Sequence, residues 1–316
     1  MVLFRRKEYR EKRCKTKFIM KNGEILLEKL ITTFDGNHNP LRNFSSKELK
    51  LATNNYDTMN VISEDWFFKL YKGFLLDRQI SVMKFEPKSQ RSYDECINNI
   101  VFASQMCHKH ILKLIGCCLE TQVPILVFES LVKYGTLKDH IFSNHKCPLE
   151  TLSWRQRLKI AMEISHTFAY LHVGFPRPIV YSLMSSTQFF LDEHLVPKLF
   201  DFSFAQCIPE GETQIKDAQL RGTIGYIAPE LFKGVLDEKC DVFGFGSLLL
   251  VLLTGQRASD ISKTEGTYNL FEYLEKKLNE DNWFIEAVDP IIVGDGLCPR
   301  NLVLTMKDFH ICYVMR

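Results

Sequence analysis

Residues 180–205 read VYSLMSSTQFFLDEHLVPKLFDFSFA, and the interpretation of the whole chain starts from this stretch. It contains two short, mainly apolar runs at 189–191 and 196–200, and the second run leads directly into Asp201. The first run and Asp201 fix the register of the segment at 181–188, which reads YSLMSSTQ. None of the residues at 181–188 is charged, and the predicted function depends on that.

The sequence D-F-S at 201–203 resembles the magnesium-binding D-F-G of protein kinases, and 181–188 fill the slot of their catalytic loop, H-R-D-L-x-x-x-N. Leu183 stands where the catalytic aspartate would be. Phosphoryl transfer needs a carboxylate there to accept or orient the proton of the attacking hydroxyl, and leucine can do neither. Three further polar positions of the loop have changed: Ser182 replaces Arg, Ser185 replaces the phosphate-contacting Lys, and Gln188 replaces the magnesium-binding Asn.

A second motif indicates a lost phosphate loop. Tyr71-Lys72-Gly73 resembles the end of the glycine-rich hairpin of these kinases. Kinases need glycine in this loop so that backbone N–H groups can approach the phosphates. In this register the loop glycines are replaced by Ser63, Asp65 and Phe68. The residues expected to crowd the tip are Trp66, Phe67 and Phe68, with Asp65 adding a negative charge where phosphates would lie.

Lys84 fits the strand lysine that holds the phosphates, although a lysine on an alternating strand can also be a plain surface charge. Counting along the next helix places the partner glutamate at Asn99, and Glu95 lies one turn earlier as a replacement. Lys84 and Asp201 are therefore predicted as vestiges of a nucleotide site and a metal site. The resemblance implies no cofactor, with binding of ATP and magnesium absent or weak.

Composition and charge narrow the class of protein. The chain has 316 residues, 46% of them hydrophobic and 12% aromatic, which is enough for one large core or two lobes and excludes overall disorder. A formal charge of +2 gives no reason to expect a nucleic-acid partner. Ten cysteines without a C-x-x-C pair, and charges soon after Met1, favour a cytoplasmic protein. The longest apolar run, at 242–253, falls short of the roughly 18–20 residues of a transmembrane helix and predicts a buried helix.

The N-terminal end is the one part of the chain predicted to contact an anionic surface. Nine of its first 21 residues are Lys or Arg. We expect either peripheral contact with the plasma membrane or a solvated basic tail. An Asn22-Gly23 turn is predicted to precede a short amphipathic helix at 25–34.

The predicted fold is α+β and bilobal, like a protein kinase, with a small β-rich N-lobe and a mostly helical C-lobe. We predict a basic extension at 1–43, an N-lobe at 44–131 and a C-lobe at 132–316. Ser45 or Ser46 is expected to cap the helix that opens the N-lobe, and Ser153 the long helix of the C-lobe. The C-lobe is predicted to be truncated, because the R-P-x-M sequence that usually follows the last helix, at 302–316, is missing.

The pattern F-S-x-x-E-L-x-x-A-T-x-x-aromatic at 44–56, with Asn22-Gly23 and Asn39-Pro40 before it, narrows the resemblance. It resembles plant receptor-like cytoplasmic pseudokinases, relatives of the wall-associated kinases, that act as adaptors for a nucleotide-binding leucine-rich-repeat immune receptor. The resemblance implies protein partners: that receptor, a bacterial effector, or other receptor-like cytoplasmic kinases.

The sequence is compatible with three functions. The first is a catalytically inactive scaffold, adaptor or decoy in plant innate immunity. The second is a non-functional decaying duplicate, and the third is a weak atypical serine/threonine kinase. For the first, the interaction candidates are Trp66, Phe67 and Phe68 at the hairpin tip and Thr213 in the polar segment at 207–221.

Overall fold

A computed structural model of the chain describes residues 2–87, 89–131, 135–142, 151–259, 270, 274 and 287–294. The chain forms two compact units, one of residues 1–133 with 200–204 and the other of residues 134–199 with 205–316. In this described part, no helix combines the length and the apolar character needed to cross a membrane. The helix expected at 302–316 lies outside the described residues.

The first unit is built on a six-stranded sheet. Its strands are β1 (Arg42–Asn43), β2 (Val61–Glu64), β3 (Phe68–Leu75), β4 (Arg78–Phe85), β5 (Leu114–Cys118) and β6 (Ile125–Glu129). They lie in the order β1-β5-β6-β4-β3-β2; in this sheet β1 and β5 are parallel, and the other neighbours are antiparallel.

The two faces of this sheet carry different side chains because successive residues of a strand point to opposite faces. On one face, helix α2 (Ser46–Ala52) contributes Leu49 to an apolar cluster with Ile80, Val82 and Ile125. Ser45 caps α2 in a capping box with Glu48. This confirms the prediction that Ser45 or Ser46 caps this helix. Helix α3 (Gln90–Ala103) packs against β4 and β5.

The N-terminal helix differs from its prediction. Instead of a turn at Asn22-Gly23 and a short helix after it, α1 runs unbroken through Val2–Phe34. Asn22 is fully buried; its Nδ2 donates to the carbonyls of Leu119 and Thr121, both at 2.9 Å, and its Oδ1 accepts from the Tyr93 hydroxyl at 2.9 Å. These tertiary hydrogen bonds outweigh the local turn preference of Asn-Gly, because intrinsic propensity is only a weak prior.

The second unit is mainly helical. Its elements are α4 (Leu137–Ile141), α5 (Trp154–Val173), α6 (Glu238–Thr254), α7 (Pro290–Gly294), β7 (Ile179–Val180), β8 (Phe189–Leu191), β9 (Pro197–Leu199) and β10 (Gln206–Cys207). Ser153 caps α5 as predicted, and the apolar run at 242–253 lies within α6, most of whose residues are buried. Two small antiparallel sheets pair β7 with β10 and β8 with β9.

A buried arginine joins the helices of this second unit. Arg157 of α5 lies 2.6 Å from the Asp289 carboxylate, just before α7. It also donates to the carbonyls of Leu252 in α6 and Leu152, at 2.7 and 3.0 Å. A buried ion pair is tolerated only when its remaining donors find partners, as they do here.

Replacing Asn22 with alanine should destabilise the chain by about 3 kcal/mol, because two carbonyls and the Tyr93 hydroxyl would lose their partner in a buried site. Urea denaturation followed by circular dichroism measures the loss. Met20→Ala, on the exposed face of the same helix, is the control and should stay within about 0.5 kcal/mol of wild type. If both variants behave alike, Asn22 does not anchor α1.

Candidate functional site

Asp201, the predicted metal ligand, is buried in the first unit. Its backbone is left-handed, with φ of 63°. One carboxylate oxygen, Oδ1, accepts three hydrogen bonds: from Asn99 Nδ2 at 2.9 Å, from the Ser203 N–H at 3.1 Å, and from the Ser203 hydroxyl. Burial raises the pKa of the Asp201 carboxyl to about 6, and the negative charges of Asp65 and Glu95 act in the same direction. Protein N–H and O–H groups therefore already contact Oδ1, one of the two oxygens through which this carboxylate would bind a metal ion.

Two adjacent asparagines of α3 hold the backbone around Asp201. Asn98 Nδ2 donates to the carbonyls of Phe202 and Ser203, both at 3.1 Å. The Phe202 N–H donates to Asn99 Oδ1 at 3.1 Å. We call Asn98 and Asn99 with residues 201–203 the asparagine clamp. It accounts for the assignment of residues 200–204 to the first unit, although their chain neighbours belong to the second.

The structure corrects the register of the predicted phosphate-binding lysine. Lys84 pairs across the sheet with Ile125, on the face of the α2 cluster, and its Nζ lies 4.6 Å from the ring centroid of Tyr56. The preceding residue, Met83, points to the other face, where its Sδ lies 3.6 Å from Asn99 Nδ2. Because side chains alternate along a strand, the residue beside α3 is methionine and not Lys84.

The expected replacement ion pair of Glu95 with Lys84 is also wrong. Glu95 instead pairs with Arg91 one turn before it on α3, at 2.7 Å. Active kinases join a strand lysine to a helix glutamate at this place. Here the corresponding contact joins Met83 and Asn99, and neither side chain carries a charge.

The three aromatic residues predicted at the hairpin tip have three different environments. Trp66 is 83% exposed. Phe67 is half-buried beneath the guanidinium of Arg91, 5.2 Å from its ring centroid. Phe68 is buried against the rings of Phe85 and Phe200, so its prediction as an exposed interaction residue is wrong. Strand alternation turns Phe68 inward, which leaves Trp66 as the exposed aromatic of the three.

In the second unit, the segment that replaces the catalytic loop is anchored by Asp241 of α6. This buried carboxylate accepts from the backbone N–H groups of Tyr181 and Ser182, both at 2.8 Å, and lies 3.0 Å from His172 Nε2. Asp241 therefore anchors the backbone at the start of this segment. Leu183 follows directly and is buried.

The other two substituted positions of this loop, Ser185 and Gln188, have different environments. Ser185 accepts a hydrogen bond from the Thr187 N–H and thereby caps the short 3₁₀ turn Ser186–Gln188. Gln188 is buried, and its Oε1 has no hydrogen-bond partner in the described part of the chain. Neither residue brings a charge to the loop.

Thr213 is exposed, as its prediction as an interaction candidate requires. Two residues later the backbone is held by hydrogen bonds, because Ile215 and Leu236 exchange backbone hydrogen bonds of 2.8 and 3.0 Å. The threonine hydroxyl thus lies on the surface of a segment whose backbone is fixed close by.

Sequence reasoning missed four residues of this site: Tyr56, Met83, Asn98 and Ser203. Aligning Ile80-Ser81-Val82-Met83 with the kinase pattern V-A-I-K would have assigned Met83 to the inner face. Two consecutive asparagines in mid-helix were a further signal, since Asn favours bonds to nearby backbone. For Tyr56 no local signal exists, because its position follows from three successive left-handed residues, 54–56.

The sequence model of the protein tyrosine and serine/threonine kinase family matches residues 57–284. Among curated proteins of Arabidopsis thaliana, Non-functional pseudokinase ZED1 is 39% identical over 293 residues, which cover 92% of this chain and 86% of the relative. Non-functional pseudokinase ZRK2 is 34% identical, with 93% and 82% covered. Wall-associated receptor kinase 1 is 32% identical, with 94% of this chain but 40% of the relative covered. By these similarities the chain belongs to the protein tyrosine and serine/threonine kinase family, in a group of plant pseudokinases related to the wall-associated kinases.

Proposed function

We propose that the protein is a catalytically inactive pseudokinase that works as an interaction scaffold, adaptor or decoy in plant innate immune signalling. One observation carries the inactive part of this proposal. Asn99 and Ser203 donate hydrogen bonds to Asp201, and Met83 contacts Asn99, so uncharged side chains hold the places of the lysine and the glutamate that an active kinase needs beside its metal-binding aspartate.

Magnesium and ATP do not fit these residues. A magnesium ion prefers several oxygen ligands in octahedral geometry and loses its water reluctantly. Asp201 Oδ1 already accepts three protein hydrogen bonds, and Lys84 lies on the other face of the sheet. Asp65 adds a negative charge close enough to raise the pKa of Asp201, and it would also repel phosphates.

The adaptor part of the proposal rests on the resemblance and on exposed surface. With chemistry absent, a kinase fold can act only through what it binds, and large aromatic side chains are common anchors of protein interfaces. Trp66 is such a side chain. We propose a nucleotide-binding leucine-rich-repeat receptor as the partner in the cytoplasm, with a bacterial effector or another receptor-like cytoplasmic kinase acting on the segment around Thr213.

No phosphate transfer is expected to a generic substrate or to the chain itself, with labelled ATP in magnesium or manganese. Leu183→Asp should not restore it, because Met83 and Asn99 would still hold the places of the charged pair. Activity that persists through purification and disappears in Asp201→Ala would establish the weak-kinase alternative.

Millimolar ATP with magnesium should leave the melting temperature unchanged, measured against magnesium alone. A ligand at a hundred times its Kd would stabilise the folded state by about 2.7 kcal/mol, which such a scan detects easily. Lys84→Ala is the matched control, and its response to ATP should equal that of wild type. A magnesium-dependent rise that Asp201→Asn abolishes would mean that the asparagine clamp opens to admit the ion.

The receptor partner is tested by co-precipitation of a plant repeat-domain receptor with the full-length chain. Trp66→Ala should weaken this binding by about tenfold or more if Trp66 is an interface anchor. Leu76→Ala, an equally exposed apolar residue on the next hairpin, should not. Thr213→Ala should leave binding intact and alter only the triggered response.

A well-folded chain that captures no such receptor would remove the adaptor assignment. A chain that fails to fold cooperatively would support the decaying duplicate instead. Deleting residues 1–43 is unsuitable here, because α1 supplies buried residues to the first unit.

A further inference from the structure

The outer face of α1 carries a row of apolar side chains that the described residues of the first unit leave exposed. The row, here called the α1 stripe, consists of Tyr9, Met20, Leu27 and Ile31, each between 53% and 69% exposed. Successive members are eleven, seven and four residues apart, about three, two and one helical turns, so they share one side of the helix. The buried residues Asn22, Leu26 and Leu30 lie on the opposite side.

The charge along α1 is strongly uneven. The first 21 residues of the chain hold nine basic residues against two acidic ones, while the whole chain has a formal charge of only +2, so the remainder is acidic. Within the described side chains of this half, Arg10, Arg13 and Lys17 are exposed around the stripe. The second half of the helix has Glu24 and Glu28 beside the stripe instead.

We propose that the α1 stripe, led by its basic half, docks the protein on an anionic lipid surface. A helix with apolar side chains along one face and Lys and Arg beside them is the arrangement that lies in a membrane interface, held by shallow apolar insertion and by attraction to anionic headgroups. A 33-residue helix is about 50 Å long, and its straight stripe fits an extended flat surface. The C-terminal half of α1 is fixed to the sheet unit through Asn22, so docking the helix would bring that unit to the membrane.

This proposal goes beyond the adaptor function, since it assigns the place where the protein works and not what it binds there. It does not depend on the receptor partner. The two therefore fail separately, one in a lipid assay and the other in co-precipitation.

Co-sedimentation of the full-length chain with vesicles tests the proposal. Phosphatidylcholine vesicles containing phosphatidylserine should bind the chain, vesicles of phosphatidylcholine alone should bind it much less, and added salt should weaken the binding because it screens charge. Binding to neither kind, or to both equally, would overturn the proposal.

Two pairs of variants separate the charges from the apolar stripe. Arg10→Gln with Arg13→Gln and Lys17→Gln should weaken binding about a hundredfold, at about fivefold for each charge near the surface. The matched control, Glu24→Gln with Glu28→Gln, should leave binding unchanged or strengthen it. A loss of the same size in the control would contradict the role of the basic half.

Tyr9→Ser with Met20→Ser should reduce binding by about tenfold or more, because apolar insertion is lost. Phe74→Ser with Leu76→Ser, exposed apolar residues away from α1, should have no effect. All these residues are exposed, so each variant should keep the wild-type melting temperature, which is checked first. Self-association that the stripe variants abolish, with no lipid binding, would assign the stripe to a second copy of the chain and overturn the membrane proposal.

Discussion

The hydrogen bond from Asn99 to Asp201 is the contact on which the organisation of the site depends. Asn99 uses both ends of its amide, donating to the carboxylate and accepting from the Phe202 N–H. Asn98 donates hydrogen bonds to the backbone carbonyls of Phe202 and Ser203. Buried polar groups are costly unless they are paired, and this clamp supplies protein hydrogen bonds to one oxygen of the carboxylate and to the backbone around it.

The asparagine clamp differs from the corresponding site of an active kinase in the groups that its polar side chains contact. In a kinase, the strand lysine, the helix glutamate and the D-F-G aspartate are completed by nucleotide and metal, so part of the site is unsatisfied without them. In this chain Met83 takes the inner strand position, while Lys84 lies against Tyr56 on the opposite face. The lysine that would attract phosphate is therefore one residue later in the sequence, and its side chain lies on the opposite face of the sheet.

The sequence predicted the fold class well, because that inference rests on several spaced motifs that support one another. The assignment of Leu183 to the place of the catalytic aspartate rests on a register fixed on both sides and stays a prediction. Lys84 was misassigned because a single lysine near the end of a strand fits the motif in two registers, and only the alternation of the neighbouring residues separates them. The Asn22-Gly23 turn failed for a different reason: the partners of Asn22 lie far away in sequence, at residues 93, 119 and 121, where no local pattern reveals them.

Two residues keep an unusual backbone although the loops that hold them have lost their charged partners. Ser182 and Asp201 are left-handed, with φ of 64° and 63°, a conformation that costs a non-glycine residue free energy unless its surroundings enforce it. For Ser182 the enforcing group is the Asp241 carboxylate, and for Asp201 it is the asparagine clamp. Both are internal hydrogen-bond networks that need no substrate. The conformation of each loop is thus set by hydrogen bonds within its own unit, which is why each loop can keep its backbone shape without a bound ligand.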